Sequence, residues 1–265
     1  MNTYGVIAIV AAAVVLTAAC VHVVENPSDE EPERIGIIGA MNDEVASLKE
    51  TMKKDRTETV AGMEFFLGKI GKCDVVVAQC GMGKVNAGTC AQILITKFNV
   101  KAVINTGVAG SLDNVLDIGD FVVSTDAVQH DFDVTPIGFD KGEIPYTGKI
   151  SFEADKGLRE KIVGAIHECC PDVAVHEGRV CSGDQFISSP EQRDAITNSH
   201  GGLCSEMEGA AVAQVCYLNG VPFVIVRAIS DKADGSAHMD YGEFEKQAAE
   251  RSAQALIHLL DNTVL

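Results

Sequence analysis

The chain has 265 residues, 46% hydrophobic and 22% charged, which is room for one substantial α/β core. Its 38 acidic against 21 basic residues leave a net charge of -17, a field that repels a nucleic-acid backbone. Trp is absent and aromatics reach only 5%, so stacking platforms for bases are scarce.

The first residues stand apart. Val6 to Ala19 is an apolar run of 14, short for a membrane span but sized for a signal h-region. It ends in LTAAC, small residues before Cys20, although no Lys or Arg precedes Val6. This pattern leads us to expect segment 1–20 to be signal-like, with lipid on Cys20 attaching the chain to a membrane or accompanying its export. A cytoplasmic form is the alternative. Residues 21–33, with Pro27, Pro32 and five acids, read as a tether, and the folded domain is expected over 34–265.

RIGIIGAM opens that domain as a buried strand, being short, branched and apolar. Met63 to Ile70 and Cys73 to Cys80, split by Gly71-Lys72, predict an antiparallel pair. Val85 to Phe98 has helical periodicity, and KAVINTGVAGSL follows as a strand running into a glycine-rich turn. Gly119 to Val128 is strand-like; the next 25 residues are polar and irregular. FEADKGLREKIVGAIHECC predicts an amphipathic helix, VAVHEGRVCSGDQFI a long strand, and Glu191 to Asn198 a short helix. GLCSEMEG turns from strand into helix, VPFVIVRAISD is the last central strand, and Tyr241 to Leu260 closes the chain as a helix whose apolar stripe is interrupted by Ser252. Strands alternating with helices describe a three-layer α/β/α domain. The eight cysteines after Cys20 form no CxxC pair, so mostly free core thiols are expected rather than a zinc site.

Ligands in such folds gather at the C-terminal ends of the strands. Here nearly every strand empties into glycine plus a polar group: GAMNDE, CGMGK, NTGVAGS, SGDQFI, SEMEG and RAISDKAD. Glycines that merely make turns would explain any one of these. A dinucleotide or ATP cradle is not supported, because GIIGAM has the wrong spacing for GxGxxG and no GxxxxGK[ST] occurs. Glu44, Glu208 and Asp231 each follow an apolar strand or open a helix, positions that suit a capping anion. Together they could also supply the acid, the base and the negative charge that cleavage of a glycosidic bond requires. Residue spacing alone does not choose between these readings.

The ordered blocks IGIIGAMNDEV, CGMGKVNA, INTGVAGSL, HDFDVTPIG, VCSGDQFI, SEMEGAAVAQVC and FVIVRAISDKAD resemble the 5'-methylthioadenosine/S-adenosylhomocysteine nucleosidase family, the hydrolytic branch of the nucleoside phosphorylase superfamily. The resemblance runs from about Arg34 to the C-terminus. It implies a phosphorylase-type α/β domain with a central mixed, partly barrel-like sheet flanked by helices, a homodimer, and no metal or organic cofactor. It implies hydrolysis of both thionucleosides to adenine and 5-methylthioribose or S-ribosylhomocysteine. Carried over by position, Asp231 would protonate N7 of adenine, Glu44 would deprotonate the attacking water, Glu208 would bind the ribose hydroxyls, and Arg227 would align water and Glu208. Met207 would pack on the ribose, Phe186 would stack on adenine, and the backbone of Ile187 would read the base edge. Met41 and Cys80 would line the ribose and water site. Ile137 and Pro145 of a partner subunit, with Tyr241, would wall the alkylthio slot. Glu206 is placed at the substrate site too, with a smaller role than Glu208.

Three positions depart from the family pattern: Cys80 stands where a serine is expected, Val108 where a small polar residue is, and Ile137 where an aromatic is commoner. Phosphorolysis on the same fold is the nearest alternative, but the seven arginines include none in the GAMNDE or CGMGK loops. A nucleoside-binding lipoprotein without catalysis is the alternative of another class.

Overall fold

RIGIIG, apolar after Arg34, forms β1 (Arg34–Gly39), buried along its whole length. The computed structural model describes residues 33–233 and 237–265, the side chains of 237–243 excepted. β1 lies parallel between β4 (Cys73–Gln79) and β5 (Val100–Ser111), as a strand covered on both faces does. β5 pairs parallel with β10 (Phe223–Asp231), and β10 antiparallel with β6 (Phe121–Gln129). From β6 the ladder passes to β8 (Val175–Ser182) and β9 (Cys204–Glu206), and β9 returns antiparallel to β5. These five strands close a ring. On the other side β4 continues through antiparallel β3 (Met63–Ile70) to β2 (Lys53–Val60), so the sheet is mixed and barrel-like over part of its width.

Strand alternation divides the core between two helical layers. In β10, Val224, Val226 and Ala228 join the cluster under α1 (Asn42–Thr51), α3 (Lys156–Cys169) and α6 (Ala237–Asn262). Their neighbours Phe223, Ile225 and Ile229 join the cluster under α2 (Lys84–Phe98) and α5 (Gly209–Asn219). A smaller cluster around Leu112, Cys181, Ile187 and Ala233 takes Ile196 from α4 (Pro190–His200).

Several elements differ from the sequence reading for local reasons. α1 and β2 gave no periodic signal: α1 buries only Val45, Leu48 and the carboxylate-bearing Glu44, and KKDRTETV is almost wholly exposed, held by its ladder to β3. The helix expected from Phe152 starts at Lys156, where the Asp155 carboxylate accepts from the Leu158 amide at 2.8 Å. Phe152 belongs instead to β7 (Ser151–Glu153), a short strand on β6. The long strand expected through Ile187 ends at Ser182, level with the end of its partner β9 at Glu206, and the Gly183 amide makes the last ladder bond to the Glu206 carbonyl at 3.1 Å. Ser252 does not weaken the α6 stripe, since its buried hydroxyl lies 2.7 Å from that of Thr106.

The expectation of a membrane-anchored or exported form is corrected here. Among the described residues no helix is long and apolar enough to cross a membrane. Cys20 and the apolar run before it lie outside the described residues.

Candidate active site

Strand ends converge on a cleft with about 470 Å³ of empty space. Ala40 and Met41 follow β1, Val108 to Gly110 end β5, Ser205 to Glu208 span the end of β9, and Ser230 with Asp231 end β10. Four carboxylates line it, from Glu44, Glu206, Glu208 and Asp231, and among the described residues no lysine or arginine does.

Glu44 sits in the first turn of α1 and bends back over its N-terminus. Its Oε2 accepts from the Ala40 and Met41 amides at 2.6 and 2.9 Å, and its Oε1 from the Val108 amide at 3.2 Å. Burial pushes its carboxyl above the ordinary glutamate range, and Arg227 and those three amides only partly reverse this. The group is thus held by backbone yet poorly solvated. Gly107 makes the fit possible, since a Cβ there would lie 2.3 Å from Glu44 Oε1.

Asp231 closes β10 at a bulge, with Ser230 and Asp231 both following Ile229 against Ala109 and Gly110 of β5. The Ala233 amide donates to its Oδ1 at 2.9 Å, and the Ser230 hydroxyl to its Oδ2 at 2.9 Å. Gly110 leaves room for this carboxylate, because a Cβ there would lie 2.7 Å from Oδ1.

SEMEG is not one helical turn. Glu206 ends β9, and Glu208 is the N-cap residue of α5. Glu206 accepts from the Ser182 hydroxyl, from the Glu208 and Gly209 amides at 3.0 and 2.8 Å, and from Arg227 Nη2 at 2.5 Å. All these donors belong to the protein, so the carboxylate expected to matter less is the most heavily engaged in the site. Glu208 has one backbone donor, the Gly83 amide at 2.8 Å from Oε1, while its Oε2 lies 3.9 Å from Arg227. Burial, and then the charge of Glu206, push its carboxyl up to about 7.

Arg227 is fully buried behind the acids. Nη2 also donates to Asn105 Oδ1 at 2.6 Å, and Nη1 to the carbonyls of Asn105 and Val226 at 3.3 and 3.1 Å. Burial works against its charge, but Glu206, Glu208 and Glu44 hold it above its ordinary value. One guanidinium thus faces three carboxylates, leaving the site rich in negative charge.

The phosphorylase superfamily model matches residues 34–261. A 5'-methylthioadenosine/S-adenosylhomocysteine nucleosidase of Treponema pallidum (strain Nichols) is 40% identical over 249 residues, 86% of this chain and 92% of the relative. The crystal structure of the nucleosidase of the same name from Neisseria meningitidis, in complex with methylthio-immucillin-A, superposes with a TM-score of 0.83 at 35% identity, covering 87% of this chain and all of that one (100%). The chain belongs to the 5'-methylthioadenosine/S-adenosylhomocysteine nucleosidase family. A futalosine hydrolase of Helicobacter pylori strain 26695 shares the fold, with a TM-score of 0.82 at 33% identity over 88% of this chain and 99% of that one.

Of the positions carried over from the nucleosidase family, Met41, Glu44, Phe186, Glu206, Met207, Glu208 and Asp231 line one cleft, with Phe186 half-exposed at its lip. Arg227 stands one layer behind, in contact with Glu206. Four positions fall elsewhere. Cys80 is buried outside the lining, its thiol donating to the Gly81 carbonyl at 3.0 Å and kept protonated by burial. Ile187 packs with Leu112 and Ile196 and faces a neighbouring hollow beside His130. Ile137 is 71% exposed on a short 3-10 turn and Pro145 is half-buried; neither lines this cleft. The Tyr241 side chain lies outside the described residues. Sequence reasoning passed over Asn105 and Ser182, which hold Arg227 and Glu206. An asparagine inside an otherwise apolar strand was the available signal for the first, and the place at the head of SGDQFI was the signal for the second.

Proposed function

We infer that this chain hydrolyses the N-glycosidic bond of 5'-methylthioadenosine and S-adenosylhomocysteine, releasing adenine and 5-methylthioribose or S-ribosylhomocysteine. The observation that carries the choice of hydrolysis over phosphorolysis is the cleft lining of four carboxylates with no lysine or arginine among the described residues. A phosphate dianion in that field would meet repulsion. Water, and a ring that turns cationic as the bond breaks, would meet the reverse.

Each carboxylate has a role consistent with its surroundings. Asp231, oriented by Ser230 and Ala233, supplies the proton that lets adenine leave neutral. Glu44 takes a proton from the water that adds to the anomeric carbon, so the elements of water end divided between sugar and base. Glu208 has a single backbone donor, which leaves it capacity to accept from the ribose hydroxyls. Arg227 and Glu206 position Glu208 from behind. Met207 and Phe186 offer apolar surface to the ribose and the base.

A homodimer fits this reading. Ile137, Tyr146, Val85 and Met82 are large apolar side chains 71%, 101%, 80% and 61% exposed, and a second copy that covered them would also wall the alkylthio end. Residues 21–265, assayed with both thionucleosides in phosphate-free buffer, should release adenine at full rate. Release that tracks added phosphate, with ribose 1-phosphate products, would overturn hydrolysis. Asp231→Asn should lower turnover by about 10²-fold or more, as loss of a proton donor does.

A further inference from the structure

Five described residues carry a buried side-chain nitrogen or oxygen with no hydrogen-bond partner, and of these Ser205 is the one that lines the cleft. Ser205 is 6% exposed, and a hydroxyl in such a place loses water without recovering a bond inside the protein. Its position in the sheet shows what could supply that bond. Ser205 on β9 stands directly opposite Gly110 on β5, and Gly110 stands opposite Asp231 on β10. Paired residues on neighbouring strands project to the same face. The Asp231 carboxylate does lean over Gly110, 2.7 Å from where its Cβ would be. Gly110 is therefore a gap with the proton donor on one side and an unpartnered hydroxyl on the other.

We propose that Ser205 contacts the leaving purine, its hydroxyl exchanging a hydrogen bond with a ring nitrogen or the exocyclic amine of the base that Asp231 protonates. The proposal rests on the nucleosidase reading and deepens it. A hydroxyl is suited to this place because it donates or accepts as the base changes from substrate to protonated leaving group. A buried hydroxyl with no partner inside the protein lowers the stability of the free protein, and a bound base would supply one.

The test compares wild type with Ser205→Ala and Ser205→Val, reading kcat/KM on 5'-methylthioadenosine, the inhibition constant of free adenine, and the melting temperature. Loss of one neutral hydrogen bond should weaken adenine by about 3- to 10-fold in Ser205→Ala and lower kcat/KM by a similar factor. The melting temperature of the free variant should be equal or higher, because an unsatisfied buried hydroxyl has been removed. A structural serine would instead show a lower melting temperature with adenine affinity unchanged, and that result overturns the proposal. So does tighter adenine binding in both variants, which would mark the position as apolar surface only. If wild type itself releases no adenine, the nucleosidase reading falls and this proposal with it; normal wild-type release with unchanged adenine affinity in the variants removes the Ser205 role alone.

Discussion

Glu208→Gln should make this protein more stable while nearly abolishing its activity. The carboxyl is raised from its ordinary 4.5 to about 7, first by burial and then by Glu206. Because the folded state holds the proton more tightly than the unfolded chain, stability falls as pH rises from about 4.5 to about 7, and the loss is complete above that. A rise of that size corresponds to about 3 kcal/mol of strain in the ionised protein. Glutamine keeps the oxygen that accepts from the Gly83 amide. It does not orphan Arg227, which retains Glu206 at 2.5 Å and Asn105 at 2.6 Å. At pH 8.5 the variant should melt about 5 °C or more above wild type, since 1 kcal/mol shifts a domain of this size by about 2–4 °C. At pH 4.5 the two should nearly coincide. Turnover should drop by about 10²-fold or more, the scale of losing one preorganised electrostatic group at a cationic transition state. Thermal unfolding of both proteins across that pH range, with adenine release measured in parallel, decides it. A variant less stable than wild type at pH 8.5 would refute the reasoning, because the carboxylate would then be a favourable part of the fold rather than a strained one.

Glu206→Gln should behave in the opposite way. It deprives buried Arg227 of its nearest anion and replaces an acceptor of four donors by a group that also carries hydrogens, so denaturant unfolding should show a loss of about 3–5 kcal/mol together with reduced turnover. Gly107→Ala would place a Cβ 2.3 Å from Glu44 Oε1 and Gly110→Ala one 2.7 Å from Asp231 Oδ1. Each should lower kcat by about 10²-fold or more in a protein that still unfolds cooperatively, as expected when a catalytic group is displaced by an ångström or so; near-normal rates in both would mean that these carboxylates are not held where they react.

Much of this protein was legible in order along the chain. Apolar runs such as RIGIIG and VPFVIVRAISD announce buried strands by composition alone, and their endings in glycine and acid announce where a ligand would bind. Ordered blocks named the family, and with it Glu44, Glu208 and Asp231. β2 escaped because an exposed strand of charged residues is stabilised by its neighbour's backbone, which leaves no hydrophobic period to read. The relation of Glu206 to Glu208 was decided only by the fold. Spacing along one helix would separate the two, but a strand end followed by a helix cap turns Glu206 inward to Ser182 and Arg227 and leaves Glu208 with one amide. Ser205 was invisible for the same reason: its significance lies in its opposition to Gly110 and Asp231, which are 95 and 26 residues away and become neighbours only when β5, β9 and β10 join the closed ring. Local sequence determines which segments must be buried and which carry charge. Which of those charges share a desolvated space is set by strand register and ring closure, and these are contacts between distant parts of the chain.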